Sequence, residues 1–460
     1  MCAFRRGILT NKPKTITIIG GGASGTLTAV DLLRNAAGPL KIFLVEKRNA
    51  CGKGVAYSTP DEAHLLNVPA GKMGAFPDDI GHFYKWLQKK GRDIDDHTFV
   101  PRRVFGQYLT ELLETTKAAA APGVELEVIC DEAIDVENGV VTLASGRTIA
   151  SDAVVLAFGN FLPPDPTAAD NAYAGADKYF RDQWSSRVYT DIKTTDDILI
   201  IGTGLSMVDL IMHFNAVGQK GTIYALSTRG LLPTVHELGH TYPSFFEDLK
   251  GVSRITDLLT TVRSHIKKAE SSGSNWRAVI DSLRPYTQQI WKDLPLAEKR
   301  YFMQHLSRHW NVARHRMPAE AAAVVERMRR EKKLCILKGR IRHIEFDGEK
   351  FTTTYSFLGD EHSLTSDVLI NCIGSESDLR RVGSPLLKNL FKRGYLQADD
   401  LGMGVKADAD GRVVDIDGNS PQRIFTLGTA LKGSLWESTA IPEIRAQANF
   451  LAEHLSNPIE

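Results

Sequence analysis

The stretch Thr15–Leu33, TITIIGGGASGTLTAVDLL, decides the fold of this protein. It opens with an apolar, β-branched run, continues with the glycines Gly20, Gly22 and Gly25, and then places apolar residues at helical spacing. Glycines in the pattern G-x-G-x-x-G permit a tight turn, close approach of the backbone to a pyrophosphate and close packing of the helix. The stretch therefore predicts a strand, a turn and a helix that bind a dinucleotide.

A second predicted strand, Lys41–Val45, supports this interpretation. It is followed by Glu46, which lies 21 residues after Gly25. An acidic residue at this position of a dinucleotide-binding unit accepts hydrogen bonds from ribose hydroxyls. We therefore expect the Glu46 carboxylate to contact an adenosine ribose.

A second copy of the pattern begins at Asp197, with the sequence DILIIGTGLSMVDLIMHF. It retains Gly202 and Gly204, whereas Met207 occupies the position of the third glycine. An apolar strand precedes the turn, and apolar residues at helical spacing follow it. The chain is therefore predicted to contain two nucleotide-binding turns.

The strand after the second turn ends differently from its counterpart in the first copy. Thr222–Leu226 leads into Ser227, Thr228 and Arg229 without an acidic residue. A carboxylate would repel a 2′-phosphate, whereas hydroxyls and a guanidinium suit one. The second site is therefore predicted to prefer NADPH to NADH. The alternative is that Arg229 is an ordinary solvated surface residue.

The duplication extends beyond the glycine turns. Ser151–Gly159, SDAVVLAFG, follows a hairpin-like stretch at Val140–Ile149. Ser366–Gly374, SDVLINCIG, follows a similar β-patterned stretch at Arg340–Leu364. Each segment is typical of a buried strand that ends at a nucleotide site, where the glycine lets the backbone turn. Two such halves indicate two nucleotides that face each other.

The C-terminal part of the chain predicts another strand and a helix. Arg423–Gly428, RIFTLG, is apolar, and a helix is expected to start near Ser438 or Ile441. In a flavoprotein, such a helix end can stabilise negative charge on the reduced ring. Alternatively, the helix is an ordinary amphipathic helix that packs on the sheet. Packing on the sheet does not exclude a role of its first turn at the ring.

A predominantly helical insertion is predicted at about residues 240–335, after the second nucleotide strand. The helices are expected at Ile255–Ala269, Trp276–Leu283, Ala297–His309 and Ala319–Arg330. The insertion also carries Trp276, Trp291, Trp310, His309, Arg314, His315 and Arg316. Such residues are usually core or solvated, but in a cap beside a cofactor cleft they are candidates for substrate contact.

The composition limits the partners. The chain has 460 residues, 43% of them hydrophobic, and 56 Lys and Arg balance 55 Asp and Glu to a net charge of +1. We therefore expect neither a nucleic acid nor a membrane as a partner. The five cysteines, Cys2, Cys51, Cys130, Cys335 and Cys372, form no metal-ligand pattern, so no metal is expected. Because no signal peptide or membrane span is recognisable, a cytoplasmic location is expected.

Several segments resemble one known group of proteins. They are Ile18–Gly25, Gly54–Ser58, His64–Ala70, Phe99–Arg102, Ile201–Asp209, Gly230–Pro233, Trp310–Arg316 and Leu435–Thr439. The group is the FAD/NAD(P)-binding family that includes bacterial FAD-dependent urate hydroxylases. More distantly, the chain resembles the flavin N-hydroxylating monooxygenases.

This resemblance implies FAD on the first turn and NADPH, or NADH, on the second. It also implies a monooxygenase in which a flavin C4a-peroxide transfers one atom of O2 to a small, nitrogen-containing, urate-like substrate. Where many members carry two arginines before the Gly-Leu-Leu segment, this chain has Thr228 and Arg229, which weakens the assignment of the coenzyme. The oligomeric state is not indicated.

We predict an α/β fold with two Rossmann-like dinucleotide-binding domains and a helical insertion. The FAD-binding domain is expected to comprise residues 14–190 and 340–460. The NAD(P)H-binding domain is expected at residues 195–339 and to contain the insertion.

The candidate site residues combine the motifs with the resemblance. The cofactor-binding candidates are Gly20, Gly22, Ser24, Gly25, Glu46, Lys47, Tyr57, Asn67, Val68, Gly159, Gly202, Gly204, Ser206, Arg229, Gly428, Glu437 and Ser438. His64, Asn67 and Trp436 are the catalytic candidates, because His64 and Asn67 can donate to flavin carbonyls. Alternatively, His64 is a core histidine and Asn67 a turn former.

Two other functions stay open at this point. One is an NAD(P)H-dependent flavin reductase or oxidase on the same two-nucleotide plan. A disulfide reductase is disfavoured, since Cys51 has no second thiol nearby. The other is a non-catalytic FAD-binding redox sensor, for which the missing third glycine at Met207 is the only indication.

Overall fold

The computed structural model describes residues 13–48, 50–167, 170–420 and 423–456. Cys2 and the last four residues of the predicted first domain lie outside these ranges. The strands are β1 (Lys14–Ile19), β2 (Leu40–Glu46), β3 (Val124–Cys130), β4 (Ala133–Glu137), β5 (Val140–Leu143), β6 (Thr148–Ala150), β7 (Ala153–Leu156), β8 (Tyr179–Phe180), β9 (Ile198–Ile201), β10 (Ile223–Ser227), β11 (Leu334–Lys338), β12 (Arg340–Phe346), β13 (Phe351–Phe357), β14 (Asp360–Ser366), β15 (Val368–Asn371) and β16 (Ile424–Thr426). The helices are α1 (Ala23–Asn35), α2 (His82–Lys89), α3 (Arg102–Ala118), α4 (Ser186–Thr190), α5 (Leu205–Ala216), α6 (Ile255–Ser271), α7 (Trp276–Ser282), α8 (Thr287–Asp293), α9 (Leu296–His305), α10 (Ser307–Arg314), α11 (Ala319–Arg330), α12 (Pro385–Lys392), α13 (Lys432–Leu435) and α14 (Ile441–Ser456).

The first sheet is parallel and has the strand order β16-β7-β1-β2-β3. Ile16 of β1 pairs with Ile42 of β2 on one side and with Ala153 of β7 on the other. These central strands are buried on both faces, which explains their continuous apolar sequences. Helices α1, α3 and α14 pack together on this sheet.

The second sheet is also parallel, with the order β11-β10-β9-β15-β8. Helix α5 follows the second glycine turn and packs with α11 against the sheet. The predicted α/β fold with two Rossmann-like sheets is therefore confirmed.

The strand pairing differs from the predicted domain boundaries. Strand β15 pairs with β9, and β8 pairs with β15, so both belong to the second sheet. The chain returns to the first sheet only at β16, which pairs with β7. The predicted boundary at residue 340 is therefore too early, because β12–β14 lead into β15 as β4–β6 lead into β7. The internal duplication in the sequence already indicated that β15 belongs to the second sheet.

The insertion between β10 and β11 forms a helical cap. Its core contains the apolar side chains of Leu258, Val279, Trp291 and Phe302, together with Trp436 from the C-terminal part of the chain. The predicted helices are present, except that Ala297–His309 is divided into α9 and α10 near Leu306. The shared core joins the cap to the segment that precedes α14.

Two further features concern the described residues alone. No helix among them combines the length and apolar character needed to cross a membrane. Within the same ranges, no group of three or more His, Cys, Asp or Glu side chains is placed to hold a metal ion.

Candidate active site

The first glycine turn connects β1 to α1 at the carboxyl edge of the first sheet. Gly20 has φ = +108°, and a Cβ there would lie 2.4 Å from the carbonyl oxygen of Ala157. A Cβ on Gly25 would lie 1.9 Å from the carbonyl oxygen of Gly20. Both positions therefore require glycine. Helix α1 begins after Gly22 without a side-chain cap or an acid in its first turn among the described residues, so its amides are free to hold an anion.

The other candidates of the first site surround this turn. The Glu46 carboxylate accepts a hydrogen bond from the amide of Gly21 at 2.7 Å. Gly428 lies against Ser24, where an added Cβ would be 3.0 Å from the Ser24 hydroxyl oxygen. The carbonyl oxygen of Gly159 accepts a hydrogen bond from Thr429 Oγ1 at 2.7 Å. The structure thus gathers residues from four parts of the chain at one edge of the sheet.

The second turn has the same geometry. Gly202 has φ = +114°, and a Cβ there would lie 2.3 Å from the carbonyl oxygen of Cys372. At Gly204, by contrast, an added Cβ would have no described atom within 4 Å. Helix α5 begins at Leu205, and in the described part of the chain neither a capping side chain nor an acid lies in its first turn. The Gly204 side of this turn is open to a ligand.

A cavity of about 900 Å³ extends from the second turn to the segment before α14. Its walls come from the second sheet, from the irregular segment Asn67–Lys72 of the first unit, from the cap and from α13. The candidates that line it are Asn67, Val68, Gly202, Gly204, Ser206, Arg229, Trp436 and Glu437. The candidates that lie elsewhere are Gly20, Gly22, Ser24, Gly25, Glu46, Lys47, Tyr57, His64, Gly159, Gly428 and Ser438.

His64 is not placed for contact with a ligand in this cavity. Its imidazole is fully buried, and Nδ1 lies 2.8 Å from Thr59 Oγ1. The ring packs edge-on against Trp184, with the centroids 5.6 Å apart. Burial lowers the pKa of His64 to about 4, so the ring is neutral at neutral pH. The geometry therefore favours the alternative that His64 is a core histidine.

Asn67 and Trp436 do line the cavity. The Asn67 carbonyl oxygen accepts a hydrogen bond from His236 Nε2 at 3.0 Å. Trp436 has φ = +60° and stacks on Trp291, with 5.2 Å between the ring centroids. A non-glycine residue in this backbone region is strained, which is common at functional sites. The indole N–H of Trp436 is buried and has no hydrogen-bond partner among the described residues.

Three other candidates, Tyr57, Lys47 and Ser438, do not line the cavity. The Tyr57 ring packs on Phe105 with the centroids 4.8 Å apart, and burial raises its pKa to about 12. Lys47 pairs with Glu132 at 3.5 Å on the surface. The Ser438 hydroxyl is buried and lacks a partner within the described ranges.

The charges around the cavity are unbalanced. Each carboxylate that lines it pairs with an arginine: Glu237 with Arg277 at 2.8 Å, Asp281 with Arg316 at 2.9 Å, Glu437 with Arg314 at 3.1 Å, and Glu443 with Arg284 at 2.8 Å. Five lining cations have no carboxylate partner among the residues that the structure describes: Lys72, Arg229, Arg308, Arg340 and Lys432. The unpaired charge of the cavity is therefore positive.

Three of these cations lie near the end of β10. Arg229 follows this strand, and its Nη1 lies 3.5 Å from Nε2 of His309, the neighbour of Arg308 on α10. Arg340 begins β12 beside Ser227, whose carbonyl oxygen accepts a hydrogen bond from the Gly339 amide at 3.0 Å. The arginines therefore come from three separate elements.

The sequence interpretation missed Arg308, Arg340, His236 and Lys432. No local motif contains them, and only the folded chain brings them to one cavity. The cap candidates Arg314 and His315 do line it, as does Arg316. Trp310 donates from Nε1 to the Glu437 carboxylate at 2.9 Å, and thereby connects the cap to the C-terminal part of the site.

Comparisons with known proteins agree with this architecture. Residues 17–161 match a family model described as FAD-NAD(P)-binding. This match covers the first glycine turn. No curated protein sequence matches the chain.

The similar solved structures include several monooxygenases. L-lysine 6-monooxygenase from Pseudomonas syringae has 15% sequence identity and a TM-score of 0.64, with 96% of this chain and 99% of that chain covered. Ornithine N-hydroxylase from Kutzneria sp. 744 has 14% identity and a TM-score of 0.62, with 96% and 99% covered. The cadaverine monooxygenase from Erwinia amylovora, whose structure is described as bound to FAD, has 10% identity and a TM-score of 0.63, with 97% and 96% covered. At these identities the likeness shows a shared fold.

Proposed function

We propose that the protein is an FAD-dependent, NADPH-consuming monooxygenase that hydroxylates a small organic substrate with O2. One observation carries this proposal. A single cavity connects the second glycine turn, near Gly204 and Ser206, with Asn67 and Val68 of the first unit. A nicotinamide held by the second unit and a flavin held by the first would therefore meet in it, beside space for a substrate.

The residues of the first turn fit FAD. The free amides at the start of α1 suit a pyrophosphate, and Glu46 lies at the end of β2 beside Gly21, where it suits ribose hydroxyls. Helix α14 begins at Ile441, next to the cavity-lining residues Thr439 and Ala440. Its N-terminal end suits the negative charge of a reduced flavin ring. We propose the carboxyl edge of the first sheet as the FAD site.

The second turn fits NADPH. The space at Gly204 and the free amides of α5 suit a pyrophosphate, and Arg229, Arg308 and Arg340 suit a 2′-phosphate. We propose that the structural unit around β9–β11 and β15 binds this coenzyme.

The protein groups have defined roles in the proposed reaction. When bound, FAD supplies the redox chemistry by accepting a hydride and activating O2. Trp436 gives the cavity an apolar wall that helps to exclude water, and Trp291 and Phe302 support it from the core of the cap. His315 lines the cavity, where a neutral imidazole offers one N–H donor and one acceptor to a substrate.

Small amines are the first substrates to test. The similar structures include enzymes named for ornithine, lysine and cadaverine, which supports a nitrogen-containing substrate. The sequence resemblance to urate hydroxylases makes purines the second class.

A coupled assay tests the proposed function. We expect purified protein to be yellow, to oxidise NADPH slowly alone, and to consume O2 faster with the correct substrate without accumulating free peroxide. Equal amounts of peroxide and oxidised NADPH with every substrate would instead support an oxidase. Bound FAD without any NADPH oxidation would support a redox sensor.

Replacing Arg229 with alanine should weaken the 2′-phosphate contact. We expect the KM for NADPH to rise at least about tenfold and the KM for NADH to change less than about twofold, because the lost interaction is charge-assisted. Steady-state kinetics with both coenzymes measures this difference. Arg330→Ala is the matched control, since Arg330 is also exposed but lies outside the cavity. Equal changes for NADPH and NADH would contradict the assignment.

A further inference from the structure

Lys432 differs from the other unpaired cations of the cavity in its position. It begins α13, and its carbonyl oxygen accepts a hydrogen bond from the amide of Trp436 at 2.8 Å. The next residue, Gly433, accepts a hydrogen bond from Trp291 Nε1 at 2.8 Å. Lys432 thus lies at the aromatic part of the cavity, whereas the three arginines lie near the end of β10.

Neighbouring charges do not neutralise Lys432. The nearby cavity carboxylates, Glu437 and Glu443, already pair with Arg314 and Arg284. In the described part of the chain, no carboxylate forms an ion pair with Lys432. The other charged groups that act on His315 together with Lys432 are Arg314, Arg284 and Glu443, and this carboxylate is already paired with Arg284. An unpaired positive charge is thus held in a confined space.

The burial of Lys432 makes this arrangement costly without a ligand. Its side chain is half-buried, and burial lowers the pKa of its ammonium group. Lys72, the other unpaired lysine of the cavity, is exposed to solvent. A partly desolvated cation gains more from an anionic partner than a hydrated one does. The need for such a partner is therefore greater at Lys432.

We propose that the substrate carries an anionic group, such as a carboxylate, that pairs with Lys432. That the anionic ligand is a substrate rests on the proposed monooxygenase function. Binding of an anion at Lys432 does not depend on catalysis. The same charges disfavour a second ammonium group in the substrate, since no unpaired carboxylate lines the cavity within the described residues. The substrate is thus expected to differ from a diamine such as cadaverine.

Binding of small probes tests this proposal without turnover. Hexanoate, hexanamide and 1,6-diaminohexane have similar chains and differ in charge. Their affinities can be measured by tryptophan fluorescence, because Trp436 lies within one helical turn of Lys432. We expect hexanoate to bind at least about tenfold more tightly than hexanamide, and the diamine to bind least. Equal affinities, including no measurable binding of any probe, would overturn the proposal.

Two lysine variants locate the effect. Lys432→Met should reduce the preference for hexanoate to less than about twofold, whereas Lys72→Met, with the same change of charge and shape, should retain it. Because Lys432 is unpaired, we expect the thermal midpoint of Lys432→Met to equal or exceed that of the unsubstituted protein. An equal loss of preference in both variants, or a lower midpoint for Lys432→Met, would refute the role of Lys432.

The two proposals can fail separately. If hexanoate binds through Lys432 but no carboxylate-bearing amine or purine stimulates NADPH oxidation, the anion site stands and the monooxygenase function fails. If an uncharged or cationic substrate is hydroxylated and hexanoate shows no preference, the function stands and the anion site fails.

Discussion

Replacing Gly202 with alanine is expected to lower the free energy of unfolding by about 2–4 kcal/mol. Gly202 has φ = +114°, which is unfavourable for any residue with a Cβ. The added Cβ would also lie 2.3 Å from the carbonyl oxygen of Cys372, which follows β15 directly. Because this oxygen belongs to the backbone directly after a buried strand, the contact can be relieved only by moving that backbone. Chemical denaturation followed by circular dichroism measures the change.

Gly204→Ala is the matched control for this prediction. Gly204 lies two residues further along the same turn, with φ = −84°, and its added Cβ meets no described atom within 4 Å. We expect stability to change by less than about 0.5 kcal/mol. The affinity for NADPH should nevertheless fall at least about tenfold, because the methyl group occupies the space assigned to the pyrophosphate. Equal stability of the two variants would show that Gly202 is not a packing requirement, and unchanged NADPH affinity of Gly204→Ala would contradict the second nucleotide site.

Replacing Glu437 with alanine is expected to cost about 3–5 kcal/mol of stability and to abolish substrate-dependent activity. Its side chain is only 10% exposed and accepts hydrogen bonds from Trp310 Nε1 at 2.9 Å and Arg314 Nε at 3.1 Å. Without this carboxylate, the buried guanidinium of Arg314 loses its partner, and the indole N–H loses its acceptor. The cap would then be held less tightly against the segment before α14.

A double variant separates the charge from the packing. In Arg314→Leu/Glu437→Leu no buried charge is left alone, so we expect at least half of the stability lost in Glu437→Ala to be regained. Thermal and chemical denaturation of Arg314→Leu, Glu437→Leu and the double variant give the coupling energy between the residues. Additive effects would contradict the ion pair as the link between the cap and the rest of the site.

The elements around both glycine turns could be predicted because their signals are local. Thr15–Leu33 contains the strand, the turn and the start of the helix in one continuous stretch, and the contacts of Gly20 and Gly25 explain why the pattern needs glycine. The helices of the insertion were also recognisable from their spacing. The domain boundary at residue 340 was placed too early, although the duplicated pattern, in which β12–β14 lead into β15 as β4–β6 lead into β7, already indicated that β15 joins the second sheet.

The candidate site was predictable only in part. The glycines, Glu46 and Arg229 follow from motifs, and the resemblance added Asn67, Val68, Trp436 and Glu437, which line the cavity. It also suggested His64, whose buried ring packs on Trp184 instead. A histidine in a conspicuous segment does not reveal whether its side chain faces a cavity or a core.

The sequence by itself determined an α/β protein with two nucleotide-binding turns, because each turn depends on residues close together in the chain. Only the tertiary structure decided the character of the cavity between them. Its ion pairs join residues far apart in sequence: the residue numbers differ by 123 in Arg314–Glu437 and by 159 in Arg284–Glu443. Which charges are neutralised and which stay free depends on such long-range contacts. The unpaired Lys432 therefore becomes visible only when the chain is folded.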